Sequence, residues 1–334
     1  MMNLEIMRQL VAEAETGSQS MPTAHAAAVR WQPDPGPLRV WCYSSNALYL
    51  FRQADHERVL RLSYSGDRTR TLIRAELDFV IYLATQGLSA AQPIRSRSGR
   101  LIEDVDSPYG RFHAVVFERV PGRPCEACAM DEALLRGWGR MMAQIHDASQ
   151  RFVPAIGVCR PAWEENLLAA LEWLPPEEKA ARRMLGEALD WLRTLPVESA
   201  TYGLIHYDLE PDNLVWDGQQ LHVVDFDDAA YHWFAADVAF AFDQVLRNCP
   251  QQAPQVQNSF LEGYRSIRPL DTWWEATLPR FNKLLRVTKF ARVLHAYRTA
   301  DPALDPPWLA KLRARHQAWL GDLRASFAEP FYRR

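Results

Sequence analysis

The segment Gly203-Leu204-Ile205-His206-Tyr207-Asp208-Leu209-Glu210-Pro211-Asp212-Asn213-Leu214 constrains this chain more than any other stretch. An apolar run leads into His206 and Asp208, Asn213 follows, and a second apolar run ends at Asp225-Phe226-Asp227. Leu214-Val215-Trp216 reads as a strand, Asp217-Gly218 as a tight turn and Leu221-His222-Val223-Val224 as the return strand. Such a hairpin holds Asn213 at its entrance and Asp225 at its exit. Two carboxylates and an amide are thereby brought to one point, and the rest of the fold must support that point.

These residue types suit phosphoryl transfer. Moving a γ-phosphoryl group asks for positioning, metal ions and a carboxylate near the attacking hydroxyl. Asp208 is the candidate for that carboxylate, accepting the hydroxyl proton or orienting the hydroxyl. Asn213 and Asp225 are candidate metal ligands, because Mg²⁺ takes a few hard oxygens and completes its shell with phosphate and water. Asp227 and Asp228 follow directly and stand on the metal or acceptor side. His206 is expected to orient the loop by hydrogen bonds, and His146 reads as a packing or capping histidine.

The run from His206 to Asn213 resembles the catalytic loop of the aminoglycoside phosphotransferase and choline kinase-like family. Asp225-Phe226-Asp227-Asp228 resembles that family's metal-binding motif, and the likeness extends from about residue 25 to about residue 300. With Trp233 and Asp237 it is also similar to the homoserine kinase and bacterial stress-response kinase branches. The resemblance implies a two-lobed protein kinase-like fold, ATP as phosphoryl donor, Mg²⁺ as cofactor and a bracing role for Asp237. An acidic residue early in a helix is also favourable in its own right. Many members carry Gly where this chain has Tyr207; the larger side chain meets no obvious prohibition.

Periodicity along the chain predicts an α+β protein. Residues 1–24 read as a helical extension, with Leu4, Met7, Leu10, Val11 and Ala14 on one face. Residues 25–119 form the expected nucleotide-binding N-lobe, a mainly antiparallel sheet with one helix. Its strands fall near 38–43, 47–52, 58–62, 101–105 and 112–118, and its helix at 71–86. Residues 120–334 form the expected helical C-lobe, catalytic and acceptor-binding, with helices near 131–149, 177–195, 235–247, 254–267, 271–299 and 307–327.

At the nucleotide end, protein kinases pair a strand Lys with a helix Glu. Only four of the 38 basic residues here are lysine, and the first is Lys179. Arg61 on the third strand and Glu76 on the helix are the candidate replacement, since Arg grips phosphate with paired N–H groups. The Gly-free loop Ser44-Ser45-Asn46 is the candidate phosphate loop, with Asn46 tolerating the left-handed turn that Gly would make. Backbone groups of Glu118 and Val120 are placed to read the adenine edge. The C-terminal helices hold Trp273, Trp274, Arg280, Lys283, Arg286, Lys289 and Arg292, in the region where family members build the acceptor pocket.

A net charge of −3 and 48% hydrophobic content argue against nucleic acid as the main partner. No apolar run approaches the length of a membrane span. Five scattered cysteines, including Cys125-x-x-Cys128, fit a reducing cytoplasm. The stretch from Asp225 to Asp237 is too short for a peptide-binding activation segment. The expected function is an ATP- and Mg²⁺-dependent transfer to a hydroxyl of an aminoglycoside-like sugar, an amino alcohol or a homoserine-like amino acid. Two alternatives stand beside it, a stress-response Ser/Thr protein kinase and an inactive nucleotide-binding scaffold.

Overall fold

Strand-forming runs between residues 39 and 118 build a six-stranded sheet. Its strands are β1 (Arg39–Tyr43), β2 (Ala47–Gln53), β3 (His56–Tyr64), β4 (Pro93–Ile94), β5 (Glu103–Ser107) and β6 (Gly110–Glu118). The order is β1-β2-β3-β6-β4, β5 also pairs with β6, and every pairing is antiparallel. The computed structural model describes residues 2–17, 21–126, 129–298 and 300–331. A two-residue turn fixes the β2–β3 register: Gln53 pairs with His56, and Ala54 and Asp55 both adopt left-handed backbone.

Alternation then decides which side chains are buried together. Tyr49 and Phe51 of β2, Leu60 and Leu62 of β3, and Phe112, Ala114 and Val116 of β6 share one core. Helix α1 (Leu4–Glu15) joins it through Leu4, Met7 and Leu10, and α2 (Pro22–Ala28) through Ala24, Ala27 and Ala28. Asn3 caps α1, its side chain accepting from the Glu5 and Ile6 amides. Helix α3 (Arg70–Thr85) follows β3.

The chain divides into two compact units. One comprises Met1–Leu77, Gln92–Arg119 and Arg292–Asp322; the other comprises Asp78–Ala91, Val120–Ala291 and Leu323–Arg334. The N-terminal residues 1–24 thus supply core to the sheet-containing unit, which also takes in a late helical segment.

The second unit is mainly helical: α4 (Glu132–Arg151), α5 (Trp163–Trp173), α6 (Lys179–Arg193), α7 (Phe234–Ala241), α8 (Asp243–Asn248), α9 (Ala253–Arg265) and most of α10 (Thr272–Tyr297). Helix α11 (Pro307–Ser326) ends in it. Helices α4 and α9 cross backbone against backbone. A Cβ on Gly139 would lie 2.0 Å from the Phe260 carbonyl oxygen, and one on Gly263 would lie 2.0 Å from that of Arg136. Trp138 packs edge-on against Phe260 at this crossing. Two small ribbons complete the unit: β7 (Arg123–Pro124) with β9 (Leu214–Trp216) and β10 (Leu221–Val223), and β8 (Tyr202–Ile205) with β11 (Ala230–Trp233).

Several expectations change. The helix expected over 235–247 is two helices broken at Phe242. Helices α2 and α5 and the two-residue strands β4 and β7 were not expected; α2, β4 and β7 are each too short to show a clear pattern. Residues 18–20 of the expected first helix and residue 299 lie outside the described residues. Cys42, Cys125 and Cys159 are free thiols. Cys249 is disulfide-bonded, which a scatter of unpaired thiols did not foreshadow. Cys128 lies outside the described residues.

Candidate active site

The catalytic-loop sequence leaves β8 and is pinned from beneath by one buried carboxylate. Asp237, fully buried on α7, accepts the Tyr207 amide at Oδ1 (2.8 Å) and the His206 amide at Oδ2 (3.1 Å). Its Oδ2 also meets His146 Nε2 at 3.0 Å, and His146 Nδ1 lies 2.8 Å from the Tyr264 hydroxyl. Burial holds the His146 imidazole below its ordinary pKa. His146 is therefore more than a packing residue: it ties α4 and α9 to the loop. Trp138 adds a further tie, donating to the Leu209 carbonyl at 3.0 Å.

Tyr207 has φ +73°. That left-handed backbone is costly for any residue with a Cβ. The expectation that Tyr meets no prohibition here is corrected: Gly would adopt this conformation freely. The ring compensates by packing 4.9 Å from Phe240, and the residue is buried.

His206 is also buried, and burial pushes its pKa down. Nδ1 accepts the Asp208 amide (3.3 Å), so Nε2 carries the proton and donates to the Val224 carbonyl (3.1 Å). One neutral imidazole thus joins the loop to the far end of the hairpin. The hairpin itself pairs Trp216 with Leu221 and Leu214 with Val223. Its turn is set by Asp217, whose Oδ1 accepts the Gln219 and Gln220 amides, and by Gly218 at φ +101°. The Val224 amide donates to the Asn213 carbonyl (3.1 Å), so the two hairpin ends lie side by side.

Asn213 directs its NH₂ to the Asp208 carbonyl (2.8 Å) and to Asp208 Oδ2 (3.3 Å). That orientation leaves its amide oxygen available as a ligand. Asp225 is exposed, with φ +63°. A neutral oxygen and a carboxylate at the two adjoining ends of one hairpin fit a hard divalent cation that takes its remaining ligands from phosphate and water. Among the described residues no three His, Cys, Asp or Glu side chains form a metal cage. Burial raises the Asp208 carboxyl well above its ordinary range, Lys289 opposes this, and Glu210, Asp228 and Asp225 add to the rise.

Asp227 is buried, its backbone carbonyl accepting from Arg160, which also donates to the Ala229 carbonyl (2.6 Å). Asp228 is half-buried. Arg160 was not anticipated; nothing in its sequence context sets it apart from the other arginines. Glu210 and Lys289 were not paired in the sequence reading either. Lys289 donates to Glu210 Oε1 at 2.7 Å, and Glu210 follows Asp208 by two positions. The other basic candidates have local partners: Arg280 stacks over Trp191 and Lys283 donates to the Pro330 carbonyl. Arg292 lies in the other unit.

In the sheet-containing unit, Arg61 and Glu76 form a two-pronged ion pair, Nη1–Oε1 and Nη2–Oε2 both 2.7 Å, with 3% and 1% exposure. Phe117 lies against the guanidinium. In the loop between β1 and β2, Ser44 is exposed and Ser45 half-buried. Asn46 departs from expectation. It is buried, its φ is not positive, and its Oδ1 accepts from Ser63 Oγ at 2.6 Å. Its side chain shapes the loop from within. The Ser44 carbonyl accepts the Met2 amide (3.0 Å), which fixes the loop further. The expectation for Glu118 is narrowed as well, because its amide already donates to the Gln92 carbonyl (2.8 Å). Val120 is half-buried and opens the other unit.

Comparison with known proteins identifies the family. The family model described as "Phosphotransferase enzyme family" matches residues 44–270. Amicoumacin kinase of Bacillus subtilis (strain 168) is 26% identical over 270 residues, 77% of this chain and 80% of that protein. Homoserine kinase of Rhizobium etli (strain CIAT 652) is 28% identical over 288 residues, 81% and 86% of the two chains. An amicoumacin kinase solved in complex with AMP-PNP, Ca²⁺ and Ami superposes with a TM-score of 0.80 at 24% identity, covering 96% and 97%. The microcompartment-associated aminopropanol kinase gives 0.68 at 27%, covering 82% and 93%. The fold is that of the protein kinase-like phosphotransferases, as expected.

Proposed function

Because the chain belongs to the phosphotransferase enzyme family, we propose that it is an ATP- and Mg²⁺-dependent kinase acting on a hydroxyl group of a small molecule. Relatives named for amicoumacin, homoserine and aminopropanol support a small acceptor. The complex with AMP-PNP and Ca²⁺ supports a nucleotide together with a divalent ion. The observation that carries the reading is the junction of Asp208, Asn213 and the Asp225 end of the hairpin. Between Asp225 and Asp237 the chain is taken up by β11 and the start of α7. That leaves no length for a peptide-binding segment, so a small acceptor is favoured over a protein.

In this account Asp208 receives the acceptor hydroxyl. Asn213 and Asp225 hold Mg²⁺, which when bound neutralises phosphate charge. His206 and Asp237 keep the loop in the strained conformation that presents Asp208. Arg61, fixed by Glu76, anchors the nucleotide phosphates, and the Ser44–Ser45 backbone borders them. Asp227 acts through its backbone, and Asp228 lends its charge on the acceptor side. No helix among the described residues is long and apolar enough to cross a membrane. An enzyme drawing on ATP is placed in the cytoplasm, where that donor is abundant.

The test is a panel of hydroxyl compounds, amino alcohols, hydroxy amino acids and aminoglycosides, incubated with ATP and Mg²⁺. ADP release is expected to depend on one class, with a phosphorylated product seen by mass spectrometry. Asp208→Asn is expected to abolish both. Full acceptor-dependent ADP release by Asp208→Asn would overturn the assignment.

A further inference from the structure

Residues His206 to Leu214 contain no Lys or Arg, so the loop bearing Asp208 brings no cation of its own. One is delivered from α10. Lys289 Nζ donates to Glu210 Oε1 at 2.7 Å and to Asp243 Oδ2 at 3.4 Å. Both carboxylates are almost fully buried, so the ammonium is fixed in place. Arg247 Nε lies 3.1 Å and Arg286 Nε 3.5 Å from Asp243. Three cations thus share two carboxylates.

An ammonium group has three N–H bonds. Two are used here, and the Lys289 side chain keeps 28% exposure. Glu210 stands two residues after Asp208 in the same loop, so the ammonium it holds is fixed beside the segment that bears the catalytic carboxylate, with one N–H left for a further acceptor.

The geometry points to Lys289 as a further catalytic residue, whose spare N–H binds a non-bridging oxygen of the phosphoryl group in transfer. This rests on the kinase reading above. In the reaction the acceptor oxygen bonds to the γ-phosphorus, and the bond from that phosphorus to the bridging oxygen breaks. ADP leaves with the bonding pair, and the hydroxyl proton passes to Asp208. Charge is then spread over the equatorial oxygens, where a preorganised cation is most effective. Glu210 and Asp243 are positioning residues that aim Lys289.

Mg²⁺·ADP with aluminium fluoride imitates the phosphoryl group in transfer and needs no acceptor. Calorimetric titration with and without fluoride separates transition-state binding from ordinary nucleotide binding. In the natural chain fluoride is expected to tighten binding by about tenfold or more. Lys289→Met is expected to lose most of that gain, with Mg²⁺·ADP affinity kept within about threefold. Lys289→Met leaves Glu210 without its ammonium partner, so Lys289→Met/Glu210→Gln provides a second version with one fewer buried charge and the same expected loss. Lys289→Arg, which keeps the ion pair, is expected to restore part of the gain.

The proposal is overturned if fluoride does not tighten binding to the natural chain, or if either Met-containing variant keeps the gain. An equal loss in both titrations would mark Lys289 as merely structural and overturn it too. A natural chain that fails to bind Mg²⁺·ADP at all would instead overturn the kinase reading on which the inference rests.

Discussion

Asp237→Asn exchanges one oxygen for an NH₂ at a position closed to water. The carboxylate now accepts the amides of His206 and Tyr207 on different oxygens and meets His146 Nε2. An Asn that keeps its oxygen on the Tyr207 amide must turn its NH₂ towards the His206 amide, donor against donor. His146 can adapt, because the Tyr264 hydroxyl beside Nδ1 both donates and accepts. The damage is then one buried unsatisfied N–H, about 1–3 kcal/mol, and lost charge assistance, about 1 kcal/mol. Tyr207 at φ +73° stores about 1–2 kcal/mol of local strain and will relax once the clamp weakens. Urea unfolding followed by far-UV circular dichroism should show a loss of about 3 kcal/mol. Hydrogen exchange should quicken at the 206 and 207 amides. A loss below about 1 kcal/mol with unchanged exchange would show that this carboxylate is not what holds the loop.

Other consequences follow from buried groups. Either Arg61→Met or Glu76→Leu strands a buried charge and should cost about 3–5 kcal/mol. Arg61→Met/Glu76→Leu should recover most of it, and a urea-unfolding cycle showing simple additivity would contradict the pairing. Tyr207→Gly removes about 1–2 kcal/mol of strain but forfeits a buried ring that contributes about 3–5 kcal/mol. It should therefore destabilise by about 2 kcal/mol in the same assay, and a stabilised variant would mean that strain dominates. Burial lowers His232 to about 3, whereas the unfolded group titrates near about 6.5. The unfolded chain then binds more protons below about pH 6.5, so stability falls with pH, by about 2 kcal/mol from this group at pH 5. His146 and His206 act in the same direction. His232→Phe should flatten the dependence of Tm on pH over this range, and an unchanged slope would contradict the assignment.

The parts of the site that were legible in sequence are those where function demands fixed local spacing. Asp208, Asn213 and Asp225 stand at offsets set by one loop and one hairpin, and the Asp217-Gly218 turn is a local signal. The Arg61–Glu76 pair was reachable because the third strand and the following helix are where protein kinases pair Lys with Glu, and this stretch has no Lys. What stayed hidden depends on distant residues or on backbone angles. The left-handed conformation of Tyr207 has no side-chain signature in this chain. Glu210 and Lys289 are 79 positions apart, so no periodicity relates them. His146 has the context of an ordinary helical histidine, and only the fold sets it beside Asp237. The break at Phe242 lies within the apolar run Val238-Ala239-Phe240-Ala241-Phe242, where no Gly, Pro or cap residue marks a boundary. Asn46 was read as a turn residue because of its type, yet Ser63 draws its side chain inward.

The most direct test of the central claim is thermal unfolding with and without ATP plus Mg²⁺, on the natural chain and on Asp225→Ala. A ligand bound only by the folded state at about 100 times its Kd adds about 2.7 kcal/mol of stability. The account predicts a rise in Tm that requires both ATP and Mg²⁺ and is lost in Asp225→Ala. A natural chain that does not respond to millimolar ATP and Mg²⁺, or an Asp225→Ala variant that responds as strongly, would contradict it.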